Sequence, residues 1–278
     1  MKKYKLISVL CLPFLLTCCG NSNNNPPEPK WDDRGTTEPV VPTKTVSELS
    51  ESEYKNVPLY YLSKLSTYKS YKAVTKGSTV AQVLFIKVTQ SIDVTTIKGE
   101  DYSYMKNESH SSQIDTSHEA WYHQDKAVYK DNGEESYHLI TMTDYLTKYG
   151  TEPFEIAMEG YRIDDKSIKA VTKLESETNY KFKVEFNVEE ASKYVKVQMK
   201  QCGGLDEYPS IASVEMTITL QNDFTPLLLE LTSYYSAKKI ASTDCTQNCT
   251  VTYSDYNQTI EIPGLNEAKP HFNDQIEK

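Results

Sequence analysis

Cysteine is the residue type in this chain whose spacing offers the most chemistry, because a thiol can be acylated, oxidised or bound to a metal. The chain has 278 residues and six cysteines. Cys245 and Cys249 are four residues apart, and Cys202 precedes them. Cys245 and Cys249 could form a disulfide across a tight hairpin, or Cys202 could pair with either. The same spacing suits metal ligands, but no second cysteine pair and no nearby histidine completes a zinc site, so we expect no metal.

The other three cysteines lie in the N-terminal region, where a short lysine-rich segment precedes an apolar run at residues 6–16. That run has the length of a secretory signal and is too short for a transmembrane helix, which needs about 20 apolar residues. The sequence LTCCG at 16–20 resembles a bacterial lipobox. The resemblance implies a lipoprotein signal peptide at 1–18 and a diacylglycerol anchor on Cys19. Acylation of Cys18 is one alternative, and an ordinary cleaved signal peptide is another.

This N-terminal region predicts a protein at the extracytoplasmic face of the cell membrane, held there by its lipid. Residues 19–45 are rich in proline and asparagine, which is typical of a disordered spacer behind the anchor. The formal charge is −9 and becomes −12 once residues 1–18, with three lysines and no acid, are removed. So acidic a chain is not expected to bind nucleic acid or anionic lipid by charge. Its predicted contact with the membrane is the anchor, and its protein partners are unknown.

Histidines and carboxylates do not form a recognisable catalytic motif. The sequence has no phosphate-binding loop, dinucleotide fingerprint, HExxH motif or nucleophile elbow. His110 and His118 could meet across a hairpin as a metal pair, but solvated strand histidines are the simpler interpretation. Adjacent carboxylates such as Asp164 and Asp165 do not converge on a substrate. We therefore expect a non-enzymatic protein without a cofactor, and a hydrolase is the less favoured alternative.

The pattern of apolar residues predicts mainly strands, with a few helices. Residues 46–69 have helical spacing, and Pro58 is expected to interrupt that helix. From residue 80 to 98 the period is two, which predicts one long strand. Further strands are expected at 102–112, 168–174, 180–188, 214–221, 227–235, 238–242, 251–256 and 259–262, and a hairpin is expected from strands at 119–124 and 127–130. Helices are expected at 143–150 and after Asn187.

Eight or more antiparallel strands with so few helices would leave apolar faces wet unless the sheet curls. The predicted fold class is therefore α+β, a large curved antiparallel sheet forming an incomplete half-barrel, with a few helices covering the concave face. A cavity between helices and sheet would suit a hydrophobic ligand. The inward-facing residues expected to line it, or to pack on one another, are Leu84, Ile86, Val88, Phe182, Val184, Phe186, Val214, Met216, Ile218 and Leu220.

The order of these features resembles the lipoprotein-carrier superfamily of LolA, LppX and RseB. A lipobox, a spacer, an N-terminal helix and a long strand are followed by central strands, a capped helix and a late meander. The segment 213–226, SVEMTITLQNDFTP, is similar to the late hairpin of that fold. The resemblance covers residues 46–264 as a single domain, followed by a disordered tail at 265–278. It implies carriage of an acyl-lipid-like ligand, and the chain also resembles lipoproteins of low-GC Gram-positive bacteria.

An alternative function is a structural or adhesive surface lipoprotein. In that case the sheet would be solid, and aromatic residues in exposed loops, Tyr102, Tyr104, Trp121 and Tyr122, would contact a protein or a glycan. The two hypotheses differ in whether the interior contains a cavity and whether these aromatic side chains are exposed.

Overall fold

The computed structural model describes residues 40–83, 86–112, 115–131, 134–149, 160–238, 242–274 and 276, with the backbone alone at 83, 86 and 201–203. Within these residues the strands are β1 (Tyr71–Val83), β2 (Ile86–Lys98), β3 (Ser103–Ser111), β4 (Asp115–His123), β5 (Lys126–Asp131), β6 (His138–Thr141), β7 (Ile168–Leu174), β8 (Tyr180–Phe186), β9 (Ser210–Leu220), β10 (Pro226–Lys238) and β11 (Ser242–Ser254). The α-helices are α1 (Val57–Thr67), α2 (Met142–Tyr149), α3 (Val188–Ala191), α4 (Lys193–Gly203) and α5 (Leu265–Ala268). Short 3₁₀ helices cover Val46–Glu48, Glu51–Asn56 and Lys269–Asn273. The predicted signal peptide and both candidate anchor cysteines lie outside the described residues.

The eleven described strands form one antiparallel sheet in the order β6-β5-β4-β3-β2-β1-β11-β10-β9-β8-β7. The central strand β1 pairs with β2 on one side and with β11 on the other. The chain therefore meanders from the centre to one edge, crosses to the other edge at β7, and meanders back. This open, curved sheet with few helices is an incomplete half-barrel of the α+β class, which confirms the predicted fold class.

Residues that pair directly across a ladder point to the same face of a sheet. One row of such pairs crosses nine strands, from β8 to β5. It consists of Phe182, Ile218, Leu229, Val251, Thr75, Val94, Asn107, His118 and Asp131. We call the face that bears this row the inner face, the concave side on which α1, α2 and α4 pack. The row is apolar from β8 to β11 and polar from β3 to β5.

Two apolar clusters lie on the inner face. The larger joins β8–β11 to α1 and α4, and its members Phe182, Met216 and Val57 are 0% exposed. The smaller lies on β2–β6 beneath α2, where Ile92 and Tyr145 are buried together. Fully burying one large apolar side chain contributes about 1.5–3 kcal/mol, so these contacts hold the helices on the sheet.

Pro58 starts a helix instead of interrupting one. It occupies the first turn of α1, where a proline costs little because its missing N–H would have no partner within the helix. The 3₁₀ helix before it begins with a capping box, in which the backbone N–H of Ser50 donates to Glu53 Oε2 at 2.8 Å. The sequence correctly places helical structure here, and only the role predicted for the proline is wrong.

The single strand predicted at 80–98 is in fact parts of two strands, because β1 ends at Val83 and β2 begins at Ile86. The pairing of Val83 with Ile86 shows how tight this hairpin is. Leu84 lies between the two strands and outside the described residues. Because Val83 pairs with Ile86, odd-numbered residues of β1 share a face with even-numbered residues of β2. Val80 therefore lies on the outer face, while Val88, opposite Ala81, lies on the inner face.

The tail predicted as disordered at 265–278 contains helical structure at 265–273. Helix α5 and the following 3₁₀ helix pack on the outer face of β3–β6, where Ala268 is fully buried and Phe272 is 7% exposed. We call this segment, residues 265–273, the strap. Trp121 holds the chain just before it, because the indole Nε1 donates to the carbonyl oxygen of Pro263 at 2.6 Å. The prediction of disorder failed because it rested on the polar composition of the tail. Two of its few apolar residues, Ala268 and Phe272, complete an apolar cluster with the strands.

Candidate functional site

A line of buried polar side chains crosses the inner face from β10 to β5. Its members are Ser233, Gln247, Thr79, Gln90, Ser109, Asn107, His118 and Asp131, and we call it the polar stripe. All of them except Asp131 are buried. Polar groups buried in an apolar interior cost free energy unless they are hydrogen-bonded, so the partners of each member determine what the stripe can do.

From β10 to β3, only some polar atoms of the stripe have hydrogen-bond partners. Ser233 Oγ donates to Gln247 Oε1 at 3.4 Å, and the Gln90 amide nitrogen donates to Ser109 Oγ. Gln90 Oε1 and Asn107 Oδ1, by contrast, are buried without a hydrogen-bond partner. Each such oxygen costs about 1–3 kcal/mol, which makes these two atoms the places on the inner face where a donor would bind most favourably.

At the β5 end the stripe becomes a tight hydrogen-bond network. His118 is fully buried, with Nδ1 2.6 Å from Asp131 Oδ1 and Nε2 2.8 Å from the Tyr145 hydroxyl. The Tyr149 hydroxyl donates to Asp131 Oδ2 at 3.2 Å. A carboxylate can only accept, so Nδ1 carries a proton and donates to Asp131, while Nε2 shares a hydrogen bond with the Tyr145 hydroxyl. Both tyrosines belong to α2, so this network fastens that helix to the sheet.

Electrostatics favour a structural role for this network. Burial acts to raise the pKa of Asp131, but the hydrogen bond and charge of His118 outweigh it and hold that pKa below its ordinary value. Burial raises the pKa of Tyr145 and Tyr149, so both hydroxyls stay neutral. A catalytic base must come within about 3 Å of a substrate proton, and His118 is enclosed on both ring nitrogens. Among the described residues, no group of three or more His, Cys, Asp or Glu residues could hold a metal ion.

The residues predicted to line a ligand cavity lie on the inner face but are packed. Phe182, Val184, Met216, Ile218 and Leu220 are 0% exposed, and Phe186 and Val214 are also buried. All seven belong to the larger apolar cluster. Val88 is half-buried opposite Ala81, while Leu84 and the side chain of Ile86 lie outside the described residues. Seven of the ten residues predicted to line a cavity therefore pack together in the hydrophobic core.

Three cavities lined by described residues lie elsewhere. One of about 790 Å³ lies at the β7–β8 hairpin against Glu51 and Tyr54. Two of about 390 and 400 Å³ lie beside the ends of β1 and β10 and beside α1. None of these three is lined by a predicted ligand residue. Because the described side chains of the apolar half are already packed against helices, a ligand between them would displace a covering helix.

The candidate disulfide between Cys245 and Cys249 is not formed, and both residues are thiols. Both residues lie in β11 and point to the inner face, four positions apart. A strand rises about 3.3 Å per residue, so their Cα atoms are about 13 Å apart, whereas a disulfide needs less than about 7 Å. Burial raises the pKa of the Cys245 thiol to about 12, which keeps it protonated and unreactive. The side chain of Cys202 lies outside the described residues.

The aromatic residues proposed for an adhesive surface are mostly buried. Trp121 is 1% exposed, Tyr104 2% and Tyr122 3%, while Tyr102 is half-buried and stacks on His123. Tyr104 and Trp121 lie under the strap, and Tyr122 lies on the inner face beside Tyr145. The exposed aromatic patch on which the adhesive hypothesis depends is therefore not formed by these four residues.

Sequence reasoning missed the polar stripe, although a signal was present. Gln90 shares its parity along β2 with Val88, Ile92 and Val94, so a polar residue stands in an apolar series. Asn107 stands on β3 with the same parity as buried Met105. A polar residue at an inward position is the feature that could have identified both.

No protein-family model matches the chain, and no curated protein matches it. Among solved structures, this chain is similar to a domain from Vibrio parahaemolyticus described as an outer membrane lipoprotein-sorting protein. The two are 11% identical with a TM-score of 0.28, and the match covers 78% of this chain and 98% of the Vibrio domain. A DUF1329 family protein from Desulfovibrio piger is 7% identical with a TM-score of 0.29, covering 81% and 97%. A LolA superfamily protein from Nitrosomonas europaea is 9% identical with a TM-score of 0.27, covering 77% and 94%.

At such TM-scores and identities the likeness carries no information on ligand or activity. Among the described helices, none combines the length and the apolar character needed to cross a membrane. One of these solved structures is of a LolA superfamily protein, and the order of elements in the sequence resembles that superfamily.

Proposed function

We propose that this chain is a lipid-anchored, extracytoplasmic binding protein without enzymatic activity, and that it holds a hydrophobic, acyl-lipid-like ligand between the inner face and its covering helices. The observation that carries the proposal is the inner face itself. It combines a broad apolar half, centred on Phe182, Met216 and Ile218, with helices that cover it through side-chain contacts. An acyl chain presents the sheet with the same kind of apolar surface as a covering helix, so its own burial would offset part of the loss of the helix contacts that it displaces.

The position of the N-terminal spacer supports anchoring through Cys19. The first described residue, Val40, donates its backbone N–H to Ser63 Oγ of α1 at 2.7 Å. The spacer would therefore enter the domain at a covering helix. The roughly 20 residues between Cys19 and this point, if extended at about 3.1 Å each, would reach about 60 Å, enough to place the inner face near a bilayer.

The charge of the chain supports a ligand that is not recognised by charge alone. A formal charge of −9 before processing opposes binding to nucleic acid and to anionic lipid surfaces. Attachment to the membrane would depend on the anchor, and ligand binding on apolar contact.

The test is native mass spectrometry, with solvent extraction, on the chain from residue 19 carrying Cys19→Ala and purified without detergent. A lipid-sized mass bound at fixed stoichiometry supports the proposal and gives the ligand class. A protein that is purified without ligand, and stays so after incubation with membrane lipids, would overturn it. Met216→Lys is the matched variant, because it places a charge on the apolar half and should abolish retention, whereas the outer-face change Thr217→Lys should not.

A further inference from the structure

The two apolar clusters of the inner face are separate among the described residues, and a seam of small side chains on β1 lies between them. The seam consists of Thr75, Gly77 and Thr79, which share one face. A glycine inside a strand weakens it and often marks a place where a ligand approaches the backbone closely. Thr75 and Gly77 are only partly buried although β1 is the central strand, so the described residues do not fully cover them.

Two unsatisfied oxygen atoms lie on one side of this seam, on the neighbouring strands β2 and β3. Gln90 is paired directly with Thr79, and its Oε1 is buried without a partner. Asn107 is separated from Thr75 by Val94 alone in the same row, and its Oδ1 is also buried without a partner. Both side chains are more than nine-tenths buried, at 9% and 4% exposure. The hydrogen bond from the Gln90 amide nitrogen to Ser109 leaves the Gln90 oxygen as the group available to a ligand.

The chemistry of these atoms selects the ligand's polar group. Amide oxygens accept hydrogen bonds, so the complementary group is a hydroxyl or an amide N–H. A carboxylate offers only acceptors and would leave both oxygens unsatisfied while burying a charge close to Asp131. A head group without donors would leave the same two oxygens unsatisfied.

We propose that the inner face beside this seam, where Gln90 and Asn107 present their oxygens, binds the uncharged, hydrogen-bond-donating head group of an amphiphile, whose acyl chain lies on the neighbouring apolar surface of the inner face. This inference rests on the proposed function and adds the class of ligand to it. A buried hydrogen bond to such a head group should make its binding about tenfold tighter than that of the same chain without a donor.

The test compares three probes with one acyl chain: monooleoylglycerol, which has two hydroxyl donors, methyl oleate, which has none, and oleate, which is charged. Their dissociation constants are measured on the chain from residue 19 carrying Cys19→Ala. The expected order is monooleoylglycerol tightest, by about tenfold over methyl oleate, with oleate weakest. Gln90→Leu and Asn107→Leu should each reduce the preference for the glyceride and leave methyl oleate binding unchanged. Asn248→Leu, on the outer face of β11, is the control and should change neither.

The possible results separate the two proposals. If none of the probes binds, the proposed function fails and this inference fails with it. If all three bind with equal affinity, or if oleate binds tightest, the proposed function stands and the head-group site is overturned. Thermal unfolding checks the variants, and Gln90→Met replaces Gln90→Leu if the branched side chain does not fit. Asn107→Leu removes an unsatisfied polar atom and should leave the ligand-free protein at least as stable as the parent, whereas Gln90→Leu also removes the hydrogen bond to buried Ser109 and should cost some stability.

Discussion

His118 and Asp131 pair directly across β4 and β5, and their side chains meet at 2.6 Å between Nδ1 and Oδ1 on the inner face. His118 has no exposed surface, while the Asp131 side chain is 20% exposed. His118 is also hydrogen-bonded to the Tyr145 hydroxyl, and Asp131 accepts a hydrogen bond from the Tyr149 hydroxyl. The pair therefore joins α2 to the strands by side-chain hydrogen bonds. The aspartate therefore affects stability through the orientation of a buried histidine as well as through its own charge.

Asp131→Asn should lower the free energy of unfolding at pH 7 by about 1–3 kcal/mol, because the charge-assisted hydrogen bond to buried His118 is lost. Urea unfolding followed by circular dichroism measures the effect. Asp206→Asn, at an exposed loop position, is the matched control and should leave the midpoint unchanged. Equal midpoints for Asp131→Asn and the parent protein would show that the pair contributes nothing.

The pH dependence of the same variant follows from the lowered pKa of Asp131. A carboxyl whose folded pKa lies below its unfolded value of about 3.9 stabilises the fold fully above that value. That contribution is lost as the pH falls through the folded pKa. The difference in unfolding free energy between the parent and Asp131→Asn should therefore be constant from about pH 5 to 7 and should shrink below about pH 4. A difference that grew on acidification would contradict this assignment.

Gly264 should not tolerate a side chain. Its φ is +61°, and a Cβ there would lie 2.9 Å from Trp121 Cζ2. Gly264→Ala should lose about 1–2 kcal/mol from the backbone alone, with a further loss from the contact with the indole. Gly204, which also has a positive φ of 54° and is exposed, is the control for the backbone part. If Gly264→Ala and Gly204→Ala have the same unfolding free energy, the indole contact is unimportant.

The strap should contribute to stability through Phe272. Phe272→Ala removes a buried ring from the cluster that contains Trp121, and such a change costs about 3 kcal/mol. Intrinsic fluorescence should move to longer wavelength as Trp121 becomes hydrated, and urea unfolding should begin earlier. Ile276→Ala, at a 39% exposed position of the same tail, is the control and should change neither signal. A Phe272→Ala protein with the parent's spectrum and midpoint would mean that the strap is dispensable.

How far the sequence determines the fold depends on the kind of signal each element carries. Strand β7 is predicted with the bounds it has, and in β8 the alternation of Tyr180, Phe182, Val184 and Phe186 correctly identifies the inner face. The β1–β2 turn is missed because the residues around Leu84 are apolar and include no glycine, proline or asparagine. Strand β11 begins with a run of polar residues, and its hydrogen bonds to β1 and β10 make it a strand despite that composition.

The candidate site is less predictable than the fold, for a physical reason. Apolar inward residues such as Met216 and Ile218 follow from period two alone. Whether the side-chain oxygens of Gln90 and Asn107 can bind a ligand depends on which groups surround them. Those surroundings are determined by contacts between strands far apart in sequence. Periodicity reports the face on which a side chain lies, but not whether a hydrogen-bond partner is present there.

The thiols of Cys245 and Cys249 should both be alkylated without reductant, but only after unfolding. In the folded protein both are buried, and the raised pKa of Cys245 leaves little thiolate. Iodoacetamide labelling in buffer and in 8 M urea, followed by peptide mass mapping, distinguishes the cases. A peptide in which residues 245 and 249 are cross-linked after labelling in urea would restore the disulfide that the strand geometry excludes.

Cys19→Ala should abolish incorporation of labelled palmitate and release the protein from the membrane fraction, or leave an unprocessed precursor. The reason is that the lipobox resemblance assigns acylation to the cysteine that becomes the first residue of the mature chain. Cys18→Ala is the matched control and should keep its label, because that cysteine leaves with the signal peptide. If labelling is instead lost in Cys18→Ala and kept in Cys19→Ala, the anchor moves by one residue. If both variants are labelled normally, neither cysteine is the anchor, and membrane attachment must be sought elsewhere in the chain.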